Sequence, residues 1–178
     1  MSSNYTITRL KAKDIPAVIE LVNSAYRGEI SKKGWTTEAD IISGNVRIDL
    51  QSIQSMLDAD GAAILTCFAN DRLFGCVYLK PEGTGLYLGM LSVSPEVQGL
   101  GIGKKLLEAS EEFAMLSALD HIQMTVIDIR HELIAWYQRH GYKNTGERKP
   151  FPDDDRFGKP KLPIQFIVMK KMISVVKL

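Results

Sequence analysis

The chain of 178 residues has little charge bias, no long apolar run and only two cysteines. Its formal net charge is +1, so no general field attracts it to nucleic acid or to an anionic membrane. No segment is long and apolar enough to span a bilayer, and the first residues lack the apolar stretch of a secretory signal. We therefore expect a cytoplasmic protein that binds neither nucleic acid nor membrane.

The two cysteines, Cys67 and Cys76, do not have the spacing of a metal site and fall within neighbouring apolar segments. We predict that they are buried free thiols and that the protein holds no metal. The composition, 45% hydrophobic and 24% charged, is typical of an ordinary globular protein, and no internal repeat or low-complexity tract interrupts it. A single domain over residues 1–178 is expected, because this length is enough for one real core.

The apolar patterns predict a hairpin of strands followed by strands that alternate with helices, which indicates an α/β domain with a mixed sheet. An Asn70-Asp71 turn joins the two hairpin strands. In the helix that begins at Asp49, Leu50 and Leu57 are expected to face inward with Ile53 and Met56, and residues 148–163 are expected to form a loop. Strands are predicted at 5–9, 62–69, 72–79, 86–93, 121–128, 142–145 and 164–172. Helices are predicted at 14–26, from residue 49 onward, from the end of the glycine-rich segment to about residue 119, and at 131–140.

The most informative segment is VSPEVQGLGIGKK, residues 93–105, between a predicted strand and a predicted helix. Gly99, Gly101 and Gly103 leave a run of backbone N–H groups uncovered at the positive end of the helix dipole, which favours a phosphate cradle. The spacing does not match a P-loop, because Lys105 stands where a hydroxyl residue is needed. It does not match a dinucleotide fingerprint either, because the third glycine position holds Lys104.

The remaining pattern, Q-x-x-G-x-G preceded by V-x-P, resembles the acyl-coenzyme A pyrophosphate loop of the GNAT superfamily of N-acetyltransferases. The resemblance implies a GNAT-like mixed, mostly antiparallel sheet with a splayed pair of parallel central strands and about four helices. It also implies acetyl-coenzyme A as co-substrate, with its pantetheine arm beside the fourth strand and its pyrophosphate on the loop. The residues implied in cofactor binding are Leu91, Ser92, Val93, Gln98, Gly99, Leu100, Gly101, Ile102, Gly103 and Lys104.

A second motif, LIAWYQRHGY, resembles the helix of this superfamily that carries a tyrosine four residues before a Gly-aromatic pair. The resemblance implies that Tyr137 protonates the leaving thiolate, and the alternative is a tyrosine that only packs the helix on the sheet. Proton transfer from a phenol of pKa ~10 to a thiolate of pKa ~8.5 is uphill by roughly 2 kcal/mol, which desolvation or a concerted transfer can offset. Arg130 replaces the asparagine that is frequent in the superfamily. Its role is left open between a cofactor phosphate and a substrate carboxylate.

The sequence indicates the general base and the acceptor site less clearly than it indicates the cofactor site. The fourth strand has no carboxylate, so Glu38 is the preferred candidate base, with Asp40, Asp49, Glu132 or a water chain as alternatives. Tyr26, Trp35 and Glu38 are expected to bind a substrate ammonium through cation–π contact and charge pairing. The alternative is a hydrophobic staple around a helix start. Residues 150–160 form either a lid, with Asp153 to Asp155 attracting a cationic substrate, or a mobile acidic loop.

From these features we expect an N-acetyltransferase that moves an acetyl group from acetyl-coenzyme A to a primary amine of a small molecule or amino-acid-like substrate. The transfer is expected to be direct, in a ternary complex. A protein N-terminus or lysine as acceptor stays open, as does a non-catalytic sensor that binds acyl-coenzyme A. The sequence also leaves a homodimer open.

Overall fold

A computed structural model describes residues 4–174 and contains one seven-stranded sheet with helices on both faces. None of the helices in this range is both long and apolar enough to cross a membrane. Short 3₁₀ turns lie at Ala12–Asp14, Pro95–Val97 and Asp155–Phe157. In chain order the elements are β1 (Thr6–Arg9), α1 (Ile15–Tyr26), α2 (Gly28–Ser31), α3 (Leu50–Asp58), β2 (Ala63–Ala69), β3 (Arg72–Glu82), β4 (Gly85–Val93), α4 (Ile102–Leu116), β5 (His121–Ile127), α5 (His131–Arg139), β6 (Lys143–Pro150) and β7 (Gln165–Met172).

The sheet has the order β1-β2-β3-β4-β5-β7-β6, and every neighbouring pair is antiparallel except β4 and β5. This parallel pair is joined only where Gly85, Leu86 and Tyr87 face residues 121–123. Beyond Tyr87 the two strands continue without pairing, so the sheet opens at its centre. The prediction of a mixed, mostly antiparallel sheet with a splayed parallel pair is confirmed.

A β-bulge in β4 lies where the strands separate. Cys76 of β3 pairs with Ser92 while Tyr78 pairs with Gly89, so one residue of β3 faces two residues of β4. Met90 has a φ of 54°, a conformation that costs a non-glycine residue energy and is found where the fold requires it. Because a bulge bends and twists its strand, it directs the end of β4 away from β5.

Two hydrophobic cores fill the two faces of the sheet. On one face α4 and α5 pack on alternate strand residues such as Cys67 and Val77, and on the other α1 and α3 pack on residues such as Ile64 and Cys76. Both cysteines are completely buried free thiols, as predicted. Burial raises the pKa of Cys76 to about 12, so this thiol stays protonated and unreactive.

The structure corrects several local predictions. Leu50 and Leu57 are 51% and 37% exposed, because the buried face of the nine-residue α3 is centred on Ile53 and both leucines lie to one side of it. Residues 27–34, whose polar sequence with two glycines predicts a loop, include the single turn α2. β6 continues to Pro150, so the loop expected to begin at residue 148 begins later.

The loop after β6 is fastened to the segment that follows α2. Ser43 N donates to Lys159 O at 2.9 Å, and Lys161 N donates to Ile41 O at 2.8 Å. Gly158 lies at the tightest point, with a φ of 91°, and a Cβ there would be 1.9 Å from the carbonyl oxygen of Ser43. This junction therefore requires glycine both for its backbone conformation and for its space.

We predict that Gly158→Ala destabilises the protein by a total of about 2–5 kcal/mol, from a left-handed φ and a backbone clash. Gly146→Ala is the matched control, because Gly146 has a φ of 84° and open space around its Cβ position. Only the φ cost of about 1–2 kcal/mol is expected there. Urea unfolding of both variants measures the difference, and equal losses would show that the Gly158 junction is not tightly packed.

Candidate functional site

A cavity of about 650 Å³, which we call the large cavity, lies beside the end of β4. Its wall is formed by the end of β4, the glycine-rich segment, the start of α4 and one side of α5. Of the residues predicted to bind cofactor, eight line it: Leu91, Val93, Gln98, Gly99, Gly101, Ile102, Gly103 and Lys104.

Two of the predicted residues do not line this cavity. Ser92 is buried, and its hydroxyl donates to Met90 O at 3.1 Å on the other face of β4. The Leu100 side chain is 60% exposed. Since strand side chains alternate between faces, only the backbone of Ser92 belongs to the same edge as Leu91 and Val93.

The glycine-rich segment has the geometry of an anion-binding loop. Gly99 and Gly101 have φ values of 87° and 81°, and a Cβ at either position would meet no atom within 4 Å. Gly101 is the N-cap of the fifteen-residue α4 and offers no side chain to its first N–H groups. The helix therefore presents uncapped donors, and the positive end of its dipole, to an open space. Gly103 instead allows close packing, because a Cβ there would be 3.2 Å from the Trp136 ring.

The Gln98 side chain links the segment of Trp35 and Thr36 to the end of β4 by hydrogen bonds. Its Nε2 donates to Val93 O at 3.1 Å and to the Thr36 hydroxyl at 2.8 Å, and its Oε1 accepts from Trp35 N at 2.9 Å. A Cβ at Gly34 would be 2.5 Å from Gln98 Oε1, so a larger residue at position 34 would displace this side chain. The side chain of this motif residue is thus occupied by the protein, which leaves only its backbone for a ligand.

Tyr137 lies at the bottom of the large cavity and is 6% exposed. Its ring contacts those of Trp136 and Tyr142, with centroids 5.1 and 5.8 Å away. No hydrogen bond joins its hydroxyl to another residue within 4–174. Burial raises the pKa of Tyr137 well above its usual value of 10.0, so it keeps its proton at neutral and moderately alkaline pH.

A second cavity of about 170 Å³, the small cavity, lies on the other side of Tyr137. The two cavities share four residues as a common wall: Tyr26, Leu91, Leu133 and Tyr137. The Tyr26 hydroxyl donates to Leu91 O within this wall. Phe151 and Pro152 cover the small cavity from the loop after β6, whereas Asp153 to Asp155 lie at a separate surface depression.

Glu38 lies at the side of the small cavity and is surrounded by guanidinium groups. It is 5% exposed and forms an ion pair with Arg27 through Oε2. Arg47 Nε is 3.9 Å from Oε2, and Arg130 Nη1 is 3.5 Å from Oε1. Burial lowers the pKa of Arg27, and the Glu38 carboxylate opposes this effect.

The three residues expected to bind an ammonium do not form one site. Trp35 is 40% exposed and lines only the large cavity, Glu38 lines only the small cavity, and Tyr26 lies in the wall between them. The Tyr26 ring is already covered by Arg47, whose guanidinium carbon is 3.9 Å from the ring centroid. The aromatic face and the carboxylate that were expected to receive a substrate cation thus receive cations of the chain itself.

The other candidate bases are less suited by position. Asp49 is the N-cap of α3, and it accepts from the Ser52 hydroxyl at 2.7 Å and from Ser52 N at 2.8 Å, which lowers its pKa. Glu132 lies at the solvent-exposed rim of the large cavity. Asp40 is absent from the walls of both cavities. Within residues 4–174, no cluster of three or more His, Cys, Asp or Glu side chains is placed to hold a metal ion.

Sequence reasoning missed Arg27 and Arg47 and left Arg130 open. Arg130 Nη2 donates to Thr36 O at 2.9 Å across 94 residues of sequence. The three arginines come from the end of α1, the segment before α3 and the start of α5, so no spacing in the sequence connects them. One feature of the sequence was related to this cluster, since Arg130 stands where the superfamily pattern has an asparagine.

Curated proteins with similar sequences are named as acetyltransferases. Human N-acetyltransferase 8B is 28% identical over 125 residues, which are 66% of this chain and 54% of that protein. The pig thialysine N-epsilon-acetyltransferase is 25% identical over 95 residues, 53% of this chain and 56% of that one. The chain spans about half the length of the curated relatives it matches.

Solved structures share the fold at low sequence identity. The ribosomal-protein-S18-alanine N-acetyltransferase of Escherichia coli superposes with a TM-score of 0.72 and 16% identity, over 98% of this chain and 97% of that one. A GNAT family acetyltransferase from Elizabethkingia anophelis, with acetyl-CoA bound, gives 0.70 and 16%, over 97% and 100%. Residues 16–142 match the sequence model of the acetyltransferase (GNAT) family. The chain therefore belongs to the GNAT family of acetyltransferases.

Proposed function

We propose that this protein transfers an acetyl group from acetyl-coenzyme A to a primary amine of a small molecule or amino-acid-like substrate, in a ternary complex. The observation that carries the proposal is the meeting of two cavities at Tyr137. The large cavity begins at an uncapped, glycine-rich helix start, and the small cavity reaches the same tyrosine from the opposite side. Two substrates can thus approach one proton donor from two directions.

The large cavity suits coenzyme A in shape and charge. The space beside Gly99 and Gly101 is open and borders the uncapped start of α4, which fits an anionic diphosphate. Lys104 adds a positive charge at the rim. The backbone of residues 91–93 borders the gap in the sheet, where it has no partner strand in β5. Acetyl-coenzyme A bound there supplies an activated acetyl thioester.

The transfer requires one proton to leave the amine and one to reach the sulfur. The acceptor nitrogen forms a bond with the acetyl carbonyl carbon while the carbon–sulfur bond breaks. Tyr137 gives its hydroxyl proton to the departing sulfur, and it regains a proton from solvent afterwards. Burial disfavours both the bare thiolate and the phenolate, so we expect the proton to move in concert with cleavage of the carbon–sulfur bond.

The assignment of Glu38 as general base stays a prediction, and the geometry favours the water chain. Both oxygens of the Glu38 carboxylate face guanidinium groups of Arg27, Arg47 and Arg130. The carboxylate is thus already engaged in buried ion pairs that a role as base would disrupt. We infer that Glu38 holds the arginines in position and that the amine proton leaves through water.

We predict that Gly101→Ala weakens coenzyme A binding at least about tenfold, because the added Cβ enters the open cradle and strains a φ of 81°. Gly146→Ala, with a similar φ and no nearby cavity, should leave binding unchanged. Calorimetric titration with coenzyme A measures both. Unaltered affinity in Gly101→Ala would contradict the placement of the diphosphate on this loop.

For the proton donor, we predict that Tyr137→Phe lowers kcat by about 10²-fold, the usual contribution of a general acid, with little change in coenzyme A affinity. Tyr142→Phe is the matched control. Its hydroxyl is buried without a hydrogen-bond partner among the described residues, so its removal should cost neither stability nor activity. Release of free thiol from acetyl-coenzyme A with an amine panel measures turnover.

The pH profile adds a second check on the same residue. The pKa of Tyr137 is raised, so its acid form persists to higher pH, and the wild-type rate should not fall through loss of this proton below about pH 10. Equal losses in Tyr137→Phe and Tyr142→Phe would assign Tyr137 to packing alone. Coenzyme A binding without turnover of any amine would favour the non-catalytic sensor.

A further inference from the structure

The small cavity contains an excess of buried positive charge. Three guanidinium groups, those of Arg27, Arg47 and Arg130, face one carboxylate, that of Glu38. Glu38 is the only acidic residue within 4–174 that lines this cavity. Two positive charges are therefore unmatched. The side chains of Arg27 and Arg130 are only 4% and 11% exposed, so water does little to screen them.

The cluster also has hydrogen-bond donors without acceptors. Arg27 Nε and Arg130 Nη1 are buried and have no hydrogen-bond partner among the described residues, although Arg130 Nη1 lies 3.5 Å from Glu38 Oε1. Other nitrogens of the same two guanidinium groups do form hydrogen bonds. Arg27 Nη2 donates to Phe157 O at 3.3 Å, and Arg130 Nη2 donates to Thr36 O at 2.9 Å. These contacts hold the two guanidinium groups in place. An unpaired buried charge is costly, and a bound anion would offset this cost.

We propose that Arg27, Arg47 and Arg130 form a carboxylate-binding site in the small cavity, and that the amine acceptor is a small molecule that carries a carboxylate. This substrate class rests on the proposed acetyl transfer. Planar guanidinium groups match a carboxylate through paired, charge-assisted hydrogen bonds. A volume of about 170 Å³ suits a compact ligand rather than a protein segment.

The charges of the cavity argue against a purely cationic acceptor. A diamine or polyamine would meet three guanidinium groups, and the Tyr26 ring and the Glu38 carboxylate already hold Arg47 and Arg27. An acceptor whose carboxylate lies at the arginines directs its amine towards the wall shared with the large cavity. Tyr137 is part of that wall.

The same cluster helps to explain how the amine loses its proton without a dedicated base. A bound carboxylate neutralises one of the two unmatched charges and leaves one. A nearby positive charge favours the neutral form of an amine, since it repels the ammonium. The arginines would then both hold the acceptor and favour the neutral, nucleophilic form of its nitrogen. A water chain would carry the amine proton to solvent.

The first test compares matched acceptors on the wild-type enzyme. Each amino acid of a small panel is assayed beside its carboxamide and its decarboxylated amine, with a diamine as the cationic probe, and kcat/KM is measured by thiol release. The free carboxylate should raise kcat/KM by about 10- to 100-fold over the carboxamide, as expected for hydrogen bonds to a charged group. Equal values, or a preference for the diamine, would overturn the proposal.

The second test removes one arginine. Arg130→Gln should lower kcat/KM for the carboxylate substrate about 10- to 100-fold, mainly through KM, and should lower it clearly less for the carboxamide, which carries no charge to pair with the guanidinium. Arg148→Gln is the control, because Arg148 is exposed and pairs with Asp128 at 3.3 Å outside the cavity. Equal losses on both substrates would indicate a structural role only. If Arg130→Gln does not fold, Arg47→Gln takes its place, since its side chain is 29% exposed.

A binding measurement separates this proposal from the proposed function. Hydroxy acids of the same skeletons cannot be N-acetylated, and they are compared with their amides by thermal shift. If no amine is acetylated, the proposed transfer fails, yet stabilisation by the hydroxy acid that is lost in Arg130→Gln still supports the anion site. No stabilisation by any hydroxy acid overturns the anion site, even if some amine is acetylated.

Discussion

The separation of β4 from β5 is the constraint on which the rest of this structure depends. The strands share a short parallel ladder at Gly85 to Tyr87 and then diverge, with the Met90 bulge at the point of divergence. Unpaired strand edges are normally a liability in a sheet interior. Here they border two cavities that meet at Tyr137, so the place where the sheet is incomplete is the place where ligands can enter.

Burial acts differently on the polar groups at this opening. It stabilises the neutral form of Tyr137 and so keeps a proton available, whereas it cannot neutralise the arginines, whose charge persists at any ordinary pH. Contacts within the fold offset only part of the desolvation cost of these guanidinium groups. The contacts are with Glu38, the Tyr26 ring and the Thr36 and Phe157 carbonyls. The structure thus has unmatched guanidinium groups at one cavity and uncapped helix N–H groups at the other.

Much of the fold was predictable because its signals are local. The Asn70-Asp71 turn, with φ values of 49° and 60°, follows from turn chemistry, and the glycine spacing at 99–103 marks the start of α4. The predictions for Leu50 and Leu57 were wrong, because a nine-residue helix presents a narrow buried face whose direction the tertiary contacts fix. The length of β6 likewise depends on its pairing with β7.

The sequence by itself determined the family pattern, the position of the glycine loop and the position of Tyr137 in α5, since each depends on residues close together in the chain. Only the tertiary structure decided what surrounds Glu38. Arg27, Arg47 and Arg130 reach it from three separate segments, and the charge of a cavity is the sum over side chains that the fold brings together. Patterns of neighbouring residues do not show the net charge of a cavity. The carboxylate of Glu38, expected to attract a substrate cation, is therefore found among arginines of the chain itself.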